Sequence, residues 1–255
     1  MSNNFSVISF HIKSKTAHFR KYYSNSTALS YYIPPRTTII GLIAGILGYD
    51  KDSYYEEFSS KNCNISIKLC SKCKKSMQTL NYLKVESKNH LNGSNGITQT
   101  PLELIIPENI RSGFIDYQVF ISHTNQKIMD QLNNLLNTNS LFFKSKGTAP
   151  AIGSAFNICN LEQFNQFQGE VLINDEGNIS SIVQLQKLTD NNLFYDDENE
   201  HFIIKERMPV EFDKARKLTE KGLNDYFIEM NLNEIRCKFK EAVKLDNGEI
   251  IMWME

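Results

Sequence analysis

Between His18 and Tyr23 the chain reads His-Phe-Arg-Lys-Tyr-Tyr, which places an imidazole, two cations (Arg20, Lys21) and two phenol rings (Tyr22, Tyr23) side by side. A polar loop and a second aromatic pair, Tyr31 and Tyr32, come next. Pro34-Pro35-Arg36-Thr37-Thr38 then leads into a short apolar segment spaced by Gly41 and Gly45. Cations neutralise phosphates, aromatic rings offer stacking faces, and a helix N-terminus presents free amides to an anion. Together these suit a strand of RNA. A stacked base contributes roughly 1–3 kcal/mol, so two or three platforms outweigh the few tenths expected from exposed charge pairs. In this reading Arg36 and the amides around Thr37 and Thr38 hold a phosphate. The plainer alternative makes the tyrosines a cover for the core edge, the threonines helix caps and the glycines packing spacers, and for Gly45 the spacer role is the expected one. A further basic loop, Lys144 to Gly153, brings Lys144 and Lys146 to phosphate and uses Gly147 and Gly153 for close backbone approach.

These residues need elements to position them. Phe5–Lys13 alternates like a strand. Thr37 or Thr38 is expected to cap a helix that Gly48 ends, and Asp52–Ser59 to form a second helical piece. Strands are expected around Ile65–Leu69, Leu80–Glu86, Leu102–Ile106 and Phe114–Ser122, with a turn-rich hairpin tip at residues 88–96. Asn125–Thr138 carries Ile128, Leu132, Leu135 and Leu136 on one helical face. A strand near Ala155–Leu161 completes the order strand–helix–strand–strand–helix–strand of ferredoxin-like, RNA-recognition-type folds. Beyond residue 164 the pattern is strand-like, with hairpin turns expected at Asn174–Gly177 and Asp246–Gly248 and an acidic loop at 196–200.

The chain has 255 residues, 41% of them hydrophobic and 22% charged, enough for a sizeable core. Its longest apolar run, Ile39–Leu47, falls short of the roughly 20 residues a membrane span needs. With no leader pattern at Met1, a cytoplasmic location is expected. The net charge of −1 hides an imbalance: residues 1–100 hold 13 Lys/Arg against 5 Asp/Glu, and residues 101–255 hold 15 against 24. No acid precedes Asp50. Such asymmetry is expected when one side of a protein faces nucleic acid. Cys63, Cys70 and Cys73 include one CxxC but no second pair, and the nearest further donor is His90, so no zinc site is expected. His11, inside a strand, reads as structural.

The order HFRK…S…LSY…PPRTTIIGLIAGILG resembles the N-terminal signature of the fifth CRISPR-associated (Cas) family. Its members are RAMP-type subunits that hold the 5′ handle of the guide RNA in type I effector complexes. The resemblance extends over Thr98-Gln99-Thr100-Pro101-Leu102-Glu103-Leu104 and the Gly-containing loop, and no motif of the C-terminal third matches. The acid-free start and the IIGLIAGILG helix are similar to the type I-B branch. The resemblance implies an α+β chain: a ferredoxin-like (RRM-like, RAMP) domain at 1–163 with a long β-hairpin thumb at about 76–110, and a smaller β-rich part at 164–255. It implies RNA contacts at His18, Arg20, Lys21, Tyr22, Tyr31, Arg36, Thr37, Thr38 and Gly41. Lys84 and Lys88 on the thumb, and Lys144, Lys146 and Gly147 on the loop, join them. The implied role is non-catalytic, in antiviral defence. The chain caps the 5′ handle of the crRNA and joins the large Cascade subunit to the repeated backbone subunit, meeting target DNA only indirectly. No cofactor, metal or membrane partner is implied. One branch of the family cuts its own guide precursor with a Tyr, Lys and His, which His18, Tyr22 or Tyr31, and Lys15 or Lys21 would imitate. Two rival readings follow, a metal-independent endoribonuclease processing the crRNA precursor and a generic single-stranded RNA-binding protein.

Overall fold

Alternation along the first strand, β1 (Phe5–Ser14), divides the molecule into two faces. Ile8, Phe10 and Ile12 point into the main core, and Val7 enters a separate cluster on the other side. The computed structural model describes residues 4–138, 149–194, 200–220 and 222–255. Lys144, Lys146, Gly147 and most of the expected acidic loop lie outside the described residues.

After β1 come two short strands, β2 (Phe19–Arg20) and β3 (Ser30–Tyr31), which pair with each other around a loop. Helix α1 (Arg36–Leu47) follows, then β4 (Cys63–Leu69), a long hairpin of β5 (Cys73–Leu83) and β6 (Ile97–Pro107), β7 (Ile115–His123), helix α2 (Gln126–Asn137) and β8 (Cys159–Ile179). The strands β8, β1, β7 and β4 lie side by side in that order, all antiparallel. With α1 and α2 as connections, this is the split β-α-β connectivity, and the chain is mixed α+β as its sequence pattern implies. Ile39, Ile43 and Ala44 of α1 and Ile128, Leu132 and Leu136 of α2 fill the core against Ile65, Ile67, Val119 and Ile121.

The C-terminal strands are β9 (Val183–Gln184), β10 (Leu188–Phe194), β11 (Ile203–Pro209), β12 (Leu223–Glu229), β13 (Ile235–Leu245) and β14 (Ile250–Ile251). β13 extends the main sheet by pairing with the far half of β8, and β11, β12 and β9 form a second sheet. The expected boundary at 163/164 therefore falls inside one strand, whose first half pairs with β1 and whose second half pairs with β13. A bulge interrupts the β1 register between Ser9 and His11, where Gln163 takes a φ of 53°. No helix among the described residues is long and apolar enough to cross a membrane.

Local rules explain several elements. The Asn125 side chain accepts a hydrogen bond from the Lys127 amide and caps α2. Gly48, at φ 81°, closes α1 with its N–H on Gly45 and that of Tyr49 on Ala44. Three expectations are corrected. The N-cap of α1 is Pro35, with no side-chain cap, so Thr37 and Thr38 sit inside the first turn. Residues 52–59 form turns rather than a helix: Asp52 adopts φ 63°, and its carboxylate accepts the Tyr55 hydroxyl instead of capping amides. Asn174–Gly177 makes no hairpin, because β8 runs through it in unbroken register with β13. Ladder pairing overrides turn-favouring residue types there. The Asp246–Gly248 turn is formed, with Gly248 at φ 90°.

Arg36 holds the junction together. Its side chain is fully buried and donates to the carbonyls of Phe58, Cys63 and Val210. Each buried acceptor left without a donor costs about 1–3 kcal/mol. Arg36→Ala strands three such acceptors and is thus expected to lower unfolding free energy by about 3 kcal/mol or more. Arg36→Lys should recover less than half of that, since an ammonium cannot span three acceptors held by a planar fork. Urea titration measures both, and a near-native midpoint for Arg36→Ala would remove Arg36 from this role.

Candidate functional site

The β2–β3 loop, one face of α1, the middle and far part of the β5–β6 hairpin and the segment after β11 enclose an open cleft of about 1210 Å³. Arg20, Lys21 and Tyr22 form the loop wall, and Thr37, Thr38, Gly41 and Gly45 the helix wall. Tyr82 and Leu102 come from the hairpin, Phe212 and Arg216 from the C-terminal part. Among its described lining residues there is no Asp or Glu.

Each wall has a local cause. The hairpin is tied to the loops by the bridges Ala17–Ile105 and Ala28–Leu102. Gly153, at φ 81°, lies so close to β2 that a Cβ there would sit 1.9 Å from the His18 carbonyl oxygen. Its proximity therefore serves the protein backbone, not a ligand. Gly45 departs from the expected spacer role. Nothing lies within 4 Å of the position its Cβ would take, and it faces the cleft. Gly41 is tighter, with the Tyr54 hydroxyl 3.2 Å from the corresponding point.

The sequence-predicted residues divide into two groups. Arg20, Tyr22, Thr37, Thr38 and Gly41 share the cleft. Arg20 is exposed and donates to the Ser24 carbonyl at 3.2 Å. Tyr22 is exposed and packs edge-on against Tyr23, with centroids 5.2 Å apart. Lys84 and Lys88 are exposed near the hairpin end, where Lys84 lies 3.2 Å from Glu86.

The other group is corrected. Tyr31 is 1% exposed and offers no stacking face. Arg36 is inside the protein and spent on carbonyls; burial lowers its guanidinium from the ordinary value. The Thr38 amide donates to the Pro35 carbonyl at 2.9 Å and is not free for an anion. His18 lines the cleft from a buried position with Nδ1 on the Glu103 carbonyl at 2.8 Å, and burial lowers its pKa despite that bond.

Lys21 reaches the cleft, but its ammonium is 2.9 Å from Glu206. Burial opposes its charge and the Glu206 carboxylate more than compensates, so it is held above its usual value. Glu206 also accepts the Tyr32 amide at 2.9 Å and lies 3.9 Å from Lys75. Lys75 in turn is 3.1 Å from Glu103, which accepts the Ser30 amide. This four-charge chain fastens the β2–β3 loop to both hairpin strands and to β11.

Sequence reasoning missed Arg216, Tyr82 and Phe212 as cleft residues. Arg216 stands at φ 58° with its Nε 3.7 Å from Asp52 and its side chain 59% exposed. It belongs to an acid-rich half, and no local motif marks it.

Two outcomes test this geometry. Gly45→Ala meets open space and removes a helical glycine, so the melting temperature should rise, by about 0.5–1 kcal/mol of stability. The lowered pKa of His18, and of His123 by the same burial, means that the folded chain resists protonation. Stability is then complete above about 6.5 and is lost as pH falls through that unfolded-state value towards the folded one. Denaturant midpoints measured from about pH 7.5 to 5 should decline. The decline should be shallower in a His18→Gln/His123→Gln variant, and equal slopes would refute the assignment.

No protein-family model and no curated protein sequence matches the chain. Among solved structures, a crystal structure of a CRISPR protein from Archaeoglobus fulgidus matches with a TM-score of 0.54 and 13% identity, covering 96% of this chain and 97% of that one. A chain of a CRISPR RNA-guided surveillance complex gives a TM-score of 0.47 at 9% identity, covering 92% of this chain and 91% of that one. A chain of the type III-B Cmr-beta complex bound to cognate target RNA and AMPPnP gives 0.46 at 13% identity, covering 91% and 86%. The mixed α+β fold is thus shared, over nearly its whole length, with the archaeal CRISPR protein.

Proposed function

We propose that this chain is a non-catalytic subunit of a type I CRISPR interference complex, holding the 5′ handle of the guide RNA in the cleft. The observation that carries the proposal is the absence of any carboxylate among the described lining residues, where Arg20 and Arg216 face the opening with the exposed rings of Tyr22 and Tyr82. Cations beside aromatic faces are what a single strand needs, and an acid on the wall would repel it. The resemblance of residues 18–48 to the fifth Cas family supports the same reading, as does a fold shared with a protein described as a CRISPR protein.

In this reading the β5–β6 hairpin lies over the RNA as a thumb. The acid-rich C-terminal part meets the large subunit and the first copy of the repeated backbone subunit. Base pairing by the guide, not this chain, reads the target. A non-cleaving role fits the site chemistry. Proton transfer needs a free acid and base within reach of one hydroxyl. Here Lys21 is engaged by Glu206, Tyr31 is buried, and His18 uses Nδ1 on a carbonyl.

Binding of a repeat-derived handle, measured by fluorescence anisotropy, tests the reading. With about five phosphates contacted, affinity should fall roughly 100-fold between about 50 and 200 mM salt, from a slope near −0.7 per phosphate. Arg20→Ala/Arg216→Ala should reduce that slope by about 1.4. Tyr22→Ala should cost about 1–3 kcal/mol if a base stacks on the ring. Gly45→Leu, filling the open wall, should weaken binding while the chain stays folded. An unchanged slope in the double Arg variant refutes the cleft as the binding site. Unrelated single strands competing equally would favour a general RNA binder. Cleavage of labelled repeat RNA in chelator would establish the endoribonuclease reading instead.

A further inference from the structure

On the sheet face turned away from the helices, three strands bring together side chains that the sequence keeps far apart. His11 sits on β1 between residues that enter the main core, so its ring points the opposite way. Asp116 of β7 and Cys70, one residue beyond β4, face the same side by the same alternation, since their neighbours Ile115, Tyr117 and Leu69 belong to that core. Donor atoms of the three lie within 4.8 Å of one another. We infer that His11, Cys70 and Asp116 form a binding site for one thiophilic divalent cation of the zinc class.

Donor chemistry carries the inference first. An imidazole, a thiolate and a carboxylate are each ordinary zinc ligands, and three protein ligands with a fourth position open to solvent is a common arrangement. Ionised Cys70 and Asp116 supply two negative charges to match a dication. The three residues are half-buried, so an ion can reach them from solvent. With one CxxC and no second pair, the sequence offered no reason to expect a zinc site, and the inferred site does not use Cys63, Cys70 and Cys73 as a group. Strand alternation separates them, sending Cys63 into the core.

Rigidity is the second support. The Cys70 amide donates to the Asp116 carbonyl at 2.9 Å, and the Asp116 amide donates to the Ser71 hydroxyl at 2.8 Å, so the two ligands are locked to each other through the backbone. His11 is registered through β1–β7 pairing opposite Gln118, two residues from Asp116. Ligands held on strands need little ordering to bind.

Nearby cations do not block the site. Lys68 is paired with Glu249, and Lys13 lies 3.1 Å from Glu162, nearer than its 3.9 Å to Asp116. His11 Nδ1 is 2.8 Å from Asp116 Oδ1, a proton-bridged contact. Metal–ligand bonds of about 2.0–2.3 Å in a tetrahedron require that pair to open by about half an ångström as the proton leaves. Burial and the Asp116 carboxylate push the Cys70 thiol up to about 11. A bound dication reverses that by supplying the local positive charge and releases the proton to solvent.

Cobalt is the probe. The full chain, freed of metal with chelator and kept reduced, is titrated with Co²⁺ and then Zn²⁺. One equivalent of Co²⁺ should give a thiolate-to-metal charge-transfer band in the near ultraviolet that equimolar Zn²⁺ bleaches, and Zn²⁺ should raise the melting temperature. Cys70→Ser should abolish the band and weaken zinc at least about tenfold. Asp116→Asn, close in shape, should weaken both metals without loss of fold by circular dichroism, and Cys73→Ser should change neither. Absence of a thiolate band in the intact chain overturns the inference. A band that survives Cys70→Ser overturns it equally.

Discussion

The hydrogen bonds from the buried Arg36 guanidinium tie three separate parts of the chain to the start of α1. A guanidinium keeps its charge inside a protein, so once buried it needs acceptors in the plane of its fork; here both terminal nitrogens find them, while Nε has no hydrogen-bond partner among the described residues. Those acceptors are the carbonyls of Phe58, Cys63 and Val210. They belong to the turn after α1, the start of β4 and the residue following β11. The first residue of α1 is thereby pinned to the sheet and to the C-terminal part together. Helix rotation follows, because with Arg36, Ile39, Ile40 and Ile43 inward the remaining face carries Thr37, Thr38, Gly41 and Gly45. The helix wall of the cleft is thus a consequence of where one side chain finds its oxygens.

The loop wall depends on a second set of charges, in which Glu206 is buried and its three neighbours are half-buried. Lys21, Glu206, Lys75 and Glu103 alternate in sign and link β2–β3 to the hairpin base and β11. Placing four charges where water is scarce adds little net stability, but leaving any one unpaired is expensive. Their effect is therefore on position more than on stability. The loop cannot swing away without stranding Glu206, so Arg20 and Tyr22 are presented to the cleft already ordered, which lowers the entropy lost on binding.

What the sequence revealed follows from how local each cause is. β1, α2, the Gly48 stop and the long β5–β6 hairpin were legible because periodicity and turn chemistry act over a few residues. The role of Arg36 was not, since one of its acceptors stands 174 positions away. Tyr31 looked like Tyr22 on paper, yet β2–β3 pairing turns one ring inward and leaves the other outside. Asn174–Gly177 had good turn residues, but a neighbouring strand supplied a better use for its amides. Arg216 had no local signal, because its relation to the cleft exists only once the segment after β11 folds back towards α1.

The charge asymmetry between the two halves also takes on a different meaning in three dimensions. Read along the chain, a basic start and an acidic end suggest separate partners. In the structure many of those charges meet each other. Glu206 takes Lys21 and approaches Lys75, Glu249 takes Lys68, Glu162 takes Lys13, and Glu211 accepts the Ser60 amide. Part of the acidic excess therefore serves to dock the later part of the chain onto the basic N-terminal sheet and loops. Positive charge left for an external polyanion is smaller than composition implies, and in the cleft it is carried by Arg20 and by Arg216, which Asp52 approaches at 3.7 Å. A cleft without acids among its described lining residues, within a chain of near-neutral charge, is therefore not a contradiction: acids that pair internally, such as Glu206 and Glu249, are placed away from that wall.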